Sequence, residues 1–204
     1  MAKEIRIAVL VSGNGTNLQA IIDAQAKGAI GTAGVVLVIG DKPEAPALGR
    51  AKKAGIKTAV IEKKSGMTRE EFDGLMGELI REEKIDLIAL AGFMRVLGES
   101  FVKEFSGKII NIHPAILPSF KGSSGIAEAF EYGVKVTGVT VHFVDEGVDT
   151  GPIISQSTVS VEESDTKETL EEKIHKEEHE LYPEAIRLFA EGKLKIEGRK
   201  VKIT

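Results

Sequence analysis

Short apolar runs rich in valine and isoleucine alternate with segments of helical period along most of this chain, and few architectures accept that alternation. A short run with little polar alternation has both faces buried, as strands do in a mainly parallel sheet covered by helices on either side. Seven stretches read as strands: Ile5–Val11, Val35–Ile39, Thr58–Ile61, Asp86–Ala91, Ile109–Ile112, Thr140–Val144 and Ile153–Ser160. Between the first two, a helix is expected from about Asn17 to Gln25. Thr68 followed by Glu71 has the form of a capping box, after which Phe72, Leu75, Met76, Leu79 and Ile80 recur at helical spacing on one face, expected to pack on the sheet. A last long helix is expected to start at Asp165, with Glu168 three residues on, and to carry Leu170, Ile174 and Leu181 before Pro183 interrupts or restarts it. From Lys193 to Ile203, charged and apolar residues alternate around Glu197 and Gly198, the pattern of a terminal hairpin. No repeat, low-complexity tract or long linker divides the sequence, so residues 1–204 read as one domain.

The chain has no cysteine, which removes disulfides, thiolate metal sites and a cysteine nucleophile and agrees with a reducing cytoplasm. Lys and Arg total 27 against 31 Asp and Glu, a formal charge of −4 that offers no broad attraction to nucleic acid. The first apolar run is too short to span a membrane, and a glycine-rich turn follows it where a cleavage site would stand in a leader.

That turn, Ser12 to Leu18, lies between the first strand and the first helix, where free backbone N–H groups and the helix dipole favour an anion. It matches neither the G-x-G-x-x-G fingerprint nor a Walker A loop, so a phosphate site and a merely tight turn both stay open. The densest chemical cluster is Asn111-Ile112-His113-Pro114 with Leu117-Pro118, directly after a strand. Alternation puts Asn111 and His113 on one side, and the prolines stiffen the backbone beyond them, in the place where open α/β sheets bind ligands. Taken alone, His113 is equally a hydrogen-bonded core histidine.

Three carboxylates, Asp145, Glu146 and Asp149, sit among glycines in the segment from Val144 to Pro152. A solvated turn accounts for them, and an EF-hand does not, because its spacing of oxygen ligands is missing. A carboxylate from this segment hydrogen-bonded to His113 would hold the ring's orientation and favour imidazolium. His175 and His179 are one helical turn apart, but Lys176 follows the first where a zinc hydrolase needs glutamate, so a solvated acidic helix face is the default there, with Glu178 kept as a ligand contact.

Six motifs in order carry a resemblance over nearly the whole chain: SGNGTNLQAI at Ser12–Ile21, TREEFD at Thr68–Asp73, AGFMRVL at Ala91–Leu97, NIHPAILPSFKG at Asn111–Gly122, GVTVHFVDEGVDTGPII at Gly138–Ile154, and the helix around His175–Glu178. Together they resemble the folate-dependent glycinamide ribonucleotide formyltransferases. The resemblance implies a single-domain α/β fold, a mostly parallel seven-stranded sheet flanked by helices. It implies a cytoplasmic enzyme of purine biosynthesis that moves a formyl group from 10-formyltetrahydrofolate to the amine of 5-phosphoribosylglycinamide. It implies small-molecule substrates only, with no metal, nucleic acid or membrane, and leaves a homo-oligomer open. By the same resemblance, Gly15, Thr16 and Asn17 in the N-terminal half bind the ribonucleotide phosphate, with His175, Lys176, Glu177 and Glu178 at its ribose or glycinamide end. Arg69, Met94, Arg95, Val96, Leu97, Asn111, Asp145, Glu146, Gly147, Val148 and Asp149 line the folate site. Asn111, His113 and Asp149 form the catalytic group. After Gly122 the chain reads Ser123-Ser124-Gly125-Ile126, where some of the family place histidines, and no role of those histidines carries over.

The implied chemistry suits these residues, since the amine nucleophile belongs to the substrate and the protein's tasks are positioning and proton transfer. The Asn111 amide and protonated His113 would donate to the oxyanion that grows on the formyl oxygen. Two alternatives stay open. One is a related enzyme that hydrolyses formyl-folate or formylates initiator tRNA, for which the additional domains usual in those proteins are not evident. The other is a non-catalytic nucleotide-binding domain on a similar scaffold, since fold alone does not fix function.

Overall fold

A computed structural model describes residues 3–204. Its elements run β1 (Ile5–Val11), α1 (Thr16–Ala26), β2 (Ala33–Gly40), α2 (Pro46–Lys53), β3 (Lys57–Val60), α3 (Arg69–Glu82), β4 (Leu87–Leu90) and α4 (Glu99–Glu104). The second half continues β5 (Ile109–His113), α5 (Gly125–Tyr132), β6 (Val136–Phe143), β7 (Ile153–Ser160), α6 (Lys167–Ala190), β8 (Leu194–Glu197) and β9 (Lys200–Ile203).

The strands form one sheet in the order β3-β2-β1-β4-β5-β6-β7-β9-β8. From β3 through β5 all neighbours are parallel, and β6 then pairs antiparallel with both β5 and β7. The apolar β1 run is explained by its two faces. Ile7, Val9 and Val11 belong to one buried cluster with Leu18 and Ile21 of α1 and Ile174 and Tyr182 of α6. Ala8 and Leu10 belong to the other, with Phe72 and Met76 of α3 and Phe101 of α4. Alternate residues of a strand point to opposite sides, so a sheet with helices on both sides needs apolar residues at every position.

The expected class holds, with corrections in detail. Among the described residues the sheet has nine strands rather than seven, because the terminal hairpin β8–β9 joins β7 through the parallel pairing of Ile153 with Lys200. The Thr68–Glu71 capping box is present, but Leu75 stands 43% exposed, outside the buried face of Phe72, Met76 and Ile80. The last helix starts at Lys167, two residues later than expected, with Thr166 as its cap and Thr169 completing the box. Asp165 instead accepts from the Thr169 hydroxyl and the Lys173 ammonium. Pro183 neither stops nor restarts α6. A proline there forfeits one helix hydrogen bond. Tyr182, Pro183, Ala185 and Ile186 are all buried, and that packing offsets the loss. The Tyr182 hydroxyl also donates to the carbonyls of Leu90 and Ile110, at 2.9 and 3.2 Å, which ties α6 to the middle of the sheet. Among the described residues no helix is long and apolar enough to cross a membrane.

Candidate active site

Neighbouring β1, β4 and β5 are parallel, so the loops after them open on the same edge of the sheet. The chain leaves β1 for β2 on one side and returns to β4 on the other, which makes the β1/β4 boundary the crevice where such sheets bind ligands. Ser12 bridges that boundary. Its N–H donates to the Gly92 carbonyl at 3.1 Å, and its hydroxyl accepts from the Met94 N–H at 2.9 Å.

On the β4/β5 side lies a cavity of about 530 Å³, lined by Phe93 to Leu97, by Asn111, His113, Pro114 and Gly122, by His142, and by Val144 to Asp149. Met94, Val96 and Val148 hold apolar side chains out at its mouth, 64%, 51% and 47% exposed, where a flat aromatic ligand would cover them. Arg95 is drawn back from solvent by Asp41 at 2.7 Å and lies over the Phe72 ring.

The polar group of the cavity centres on Asp149. Oδ2 accepts the Gly122 N–H at 2.8 Å and stands 3.4 Å from His113 Nδ1. Oδ1 accepts from Asn111 Nδ2 at 3.3 Å and stands 3.5 Å from His142 Nε2. Burial pushes the Asp149 carboxyl upward, but contact with His142, the Gly122 N–H and the charge of His113 together bring it below the usual carboxylate range. Asp149 is held at φ 51°, a left-handed conformation uncommon outside glycine. The loop that holds it is closed by Asp145, which accepts from the Gly147 N–H and the Thr150 hydroxyl, and by Gly151, where any Cβ would sit 1.8 Å from the Phe143 carbonyl oxygen. Strain of this kind, of order 1–3 kcal/mol per residue, persists where surrounding contacts over-determine it, as they do here.

His113 is buried, and its Nε2 donates to the Phe120 carbonyl at 2.7 Å. Phe120 is also left-handed, at φ 52°. Both ring nitrogens of His113 therefore already face acceptors, and a substrate gains its Nε2 proton only by displacing the Phe120 carbonyl.

Across the Ser12 bridge, α1 begins with Gly15 as its N-cap, in the left-handed region at φ 73°. No side chain caps this helix and no acidic residue lies in its first turn, so its leading N–H groups have no side-chain acceptor. Asn17 Nδ2 donates to the buried Glu178 at 3.2 Å, and His175 Nδ1 bonds the same carboxylate oxygen at 2.7 Å. Arg50 of α2 reaches this loop as well, donating to the Asn14 carbonyl at 2.8 Å. The hydrogen bond to Glu178 raises the His175 pKa above the usual histidine value, burial opposes it, and the charges of Glu178 and Glu171 add to the rise. A raised folded-state pKa stabilises the fold below about pH 6.5, and that contribution is lost as pH rises through the raised value. His175→Gln is thus expected to lower the melting temperature more at about pH 6 than at about pH 9. An equal or larger deficit at the higher pH in scanning calorimetry would rule the pairing out.

Most of the expected site residues do gather in these two places. Arg69 does not line the cavity; it lies exposed at the start of α3, its stem beside Gly98 at the end of the 94–97 loop. Lys176 faces solvent, and Glu177 is bound to Ser157 of β7 at 2.6 Å, away from Glu178. His142, Phe120 and Arg50 escaped the sequence reading. His142 had a signal, since it lies one strand away in an apolar run, but its pairing with Asn111 needs the β5–β6 register.

Residues 5–186 match the formyl transferase family. The chain is 44% identical to the phosphoribosylglycinamide formyltransferase of Bacillus subtilis over 89% of its own length and 93% of that protein's. It is 46% identical to the trifunctional purine biosynthetic protein adenosine-3 of Bos taurus over 95% of its length, while spanning 19% of that much longer relative. The crystal structure of glycinamide ribonucleotide transformylase 1 from Symbiobacterium toebii superposes with a TM-score of 0.94 at 49% identity, covering 98% of this chain and 93% of that one. With residues 5–186 matched and a relative 44% identical covered over 93% of its length, the chain belongs to the formyl transferase family.

Proposed function

We propose that this protein transfers the formyl group of 10-formyltetrahydrofolate to the amine of 5-phosphoribosylglycinamide, giving formylglycinamide ribonucleotide and tetrahydrofolate. The observation that carries this reading is the Ser12 bridge, which joins an anion-ready helix start to an apolar-mouthed cavity with an Asn-His-Asp group. A phosphorylated amine on one side and a flat formyl donor on the other meet at that boundary, as the names of the relatives above also suggest.

In this scheme the ribonucleotide phosphate takes the free N–H groups at Thr16 and Asn17, and Glu178, steadied by Asn17 and His175, meets the ribose hydroxyls or the glycinamide. The folate ring covers Met94, Val96 and Val148. The amine attacks the formyl carbon, and His113 Nε2, released from Phe120, donates to the oxygen where charge grows. The carbon–nitrogen bond to folate then breaks, and the proton lost by the amine is relayed to the departing folate nitrogen. Asp149 stabilises the imidazolium throughout. Residues 1–204 work as one formyltransferase unit, and no metal enters because the nucleophile is the substrate's own amine.

Purified protein given both substrates is expected to release tetrahydrofolate, and to release almost none when the ribonucleotide is omitted, because the amine must be held in line before attack is useful. Equal release with water alone would replace this reading by a formyl-folate hydrolase.

A further inference from the structure

Asp73 closes the Thr68–Asp73 motif, and the formyl-transfer scheme gives it no task. It stands on the buried face of α3 with Phe72 and Met76, 4% exposed, where a carboxylate is costly unless the facing element supplies a donor. Oδ2 accepts the Gly98 N–H at 2.6 Å. Burial pushes this carboxyl above the usual carboxylate range, and the Gly98 N–H and the charge of Arg69 oppose that rise without cancelling it. Stability alone does not explain a buried charge that its contacts fail to offset.

Gly98 has φ −72° and ψ 154°, a conformation any residue adopts, so the backbone does not require glycine there. Asp73 does. A Cβ at Gly98 would lie 2.8 Å from Asp73 Oδ2 and 3.5 Å from Arg69 Cδ, so the missing side chain is what lets the carboxylate reach the N–H. Gly98 follows directly on the Met94–Leu97 segment of the cavity wall. Leu97 and Val102, on either side of it, line the cavity and share a buried cluster with Phe72 and Met76. Arg95, Val96 and Leu97 make no backbone–backbone hydrogen bond among the described residues. The backbone of this segment is instead held near its two ends, by the Ser12 hydroxyl at Met94 and by Asp73 at Gly98.

We propose that Asp73 is a positioning residue of the folate site, holding the Gly98 N–H so that the Met94–Leu97 segment keeps the shape that receives the formyl donor. This rests on the formyl-transfer reading, and the two fail separately. A wild-type protein without ribonucleotide-dependent turnover would sink that reading before any variant is compared.

The test measures kcat and the KM for 10-formyltetrahydrofolate, with the ribonucleotide dissociation constant from calorimetric titration and folding followed by circular dichroism and thermal melting. Asp73→Ala removes the acceptor and is expected to raise the donor KM about tenfold or more, with kcat within about threefold and ribonucleotide affinity within about twofold, the mark of lost ground-state binding on one side of the site. Asp73→Asn keeps an oxygen for the Gly98 N–H and sets its NH₂ at Oδ1, which is not among the buried unpaired atoms, so its donor KM should stay within about threefold of wild type. Gly98→Ala attacks the same contact from the other side and should raise the donor KM about fivefold or more. Added to Asp73→Ala it should cost less than about twofold further, because no carboxylate is left for the Cβ to meet. If Asp73→Ala does not fold, Gly98→Ala carries the test, since its backbone accepts any residue. An unchanged donor KM in the folded variants, equal losses for both substrates, a loss in Asp73→Asn as large as in Asp73→Ala, a fall in kcat with KM held, or losses that multiply in the double variant would each overturn the assignment.

Discussion

Asp149→Asn is expected to lower kcat by about 100- to 1,000-fold while leaving the fold and the affinity for the ribonucleotide nearly unchanged. Asparagine keeps the size of the side chain and is among the few residues that tolerate the left-handed conformation seen at 149, so the backbone has no reason to move. The charge and the donor pattern do change. One carboxylate oxygen receives the Gly122 N–H and the other the Asn111 amide, so whichever way the new side chain turns, its NH₂ faces a donor. The neutral amide also no longer stabilises an imidazolium at His113, whose Nδ1 stands 3.4 Å from the lost charge. Without that partner the ring is a weaker donor to the oxyanion, and loss of one such donor costs about 2.7–4 kcal/mol in the transition state.

The same reasoning fixes the double mutant. His113→Ala and Asp149→Asn should each be impaired to a similar degree, and the combination should be little worse than either, because residues that work as a unit are not additive. The measurement is kcat for the three variants together with the dissociation constants of both substrates, with folding checked by circular dichroism. Wild-type kcat in a folded Asp149→Asn protein would remove Asp149 from the mechanism. Strictly multiplicative losses would show that the two side chains act apart.

How much of this was legible in the sequence depended on the range of the interactions. β1 and the loop after it were readable because a strand buried on both faces and a glycine-rich helix entry are local patterns, set by residues that adjoin in the chain. The same holds for the Thr68–Glu71 box, which is complete within one turn. Leu75 was misplaced because helical spacing gives an apolar stripe without saying how wide a stripe the sheet covers. The Asp165 start failed for a related reason. Asp165 and Thr166 are both good caps, and the choice fell to a threonine whose partner three residues on is another threonine rather than an acid. The helices α2, α4 and α5 are short, with too few turns to show a period, and α2 carries Ala47 and Arg50 to the loop after β1. At the site, Asn111 and His113 stood out through strand alternation, and Asp149 came from the family resemblance. His142 and the Phe120 carbonyl could not be placed, since one depends on strand register and the other on a loop that folds back on itself. Long-range pairing of that sort leaves no mark in local composition.

Gly15→Ala is expected to weaken ribonucleotide binding at least about tenfold, or about 1.4 kcal/mol, while folate affinity stays within about twofold. Two independent effects act at this position. Gly15 is at φ 73°, and a residue with a side chain pays about 1–2 kcal/mol to enter that region. A Cβ there would also lie 2.5 Å from Ala47 Cβ and 2.8 Å from Ala47 Cα, closer than atoms pack, so the loop must part from α2. The Ala47 N–H bonds the Gly13 carbonyl at 3.1 Å, so parting the two elements pulls on the phosphate loop itself and swings the free N–H groups of α1 off their common focus. The folate side is spared because Ser12 holds Gly92 and Met94 from the β1 side of the turn, ahead of Gly15. Adding Ala47→Gly removes the 2.5 Å contact but neither the 2.8 Å contact nor the positive φ, so recovery should be partial. Calorimetric titration with the ribonucleotide, its dephosphorylated form and the folate separates the causes. If the helix start binds phosphate, Gly15→Ala should cost the ribonucleotide its affinity and barely touch the dephosphorylated form. A parallel loss for all three ligands would mean the substitution loosens the fold, and no loss for any would place the phosphate elsewhere.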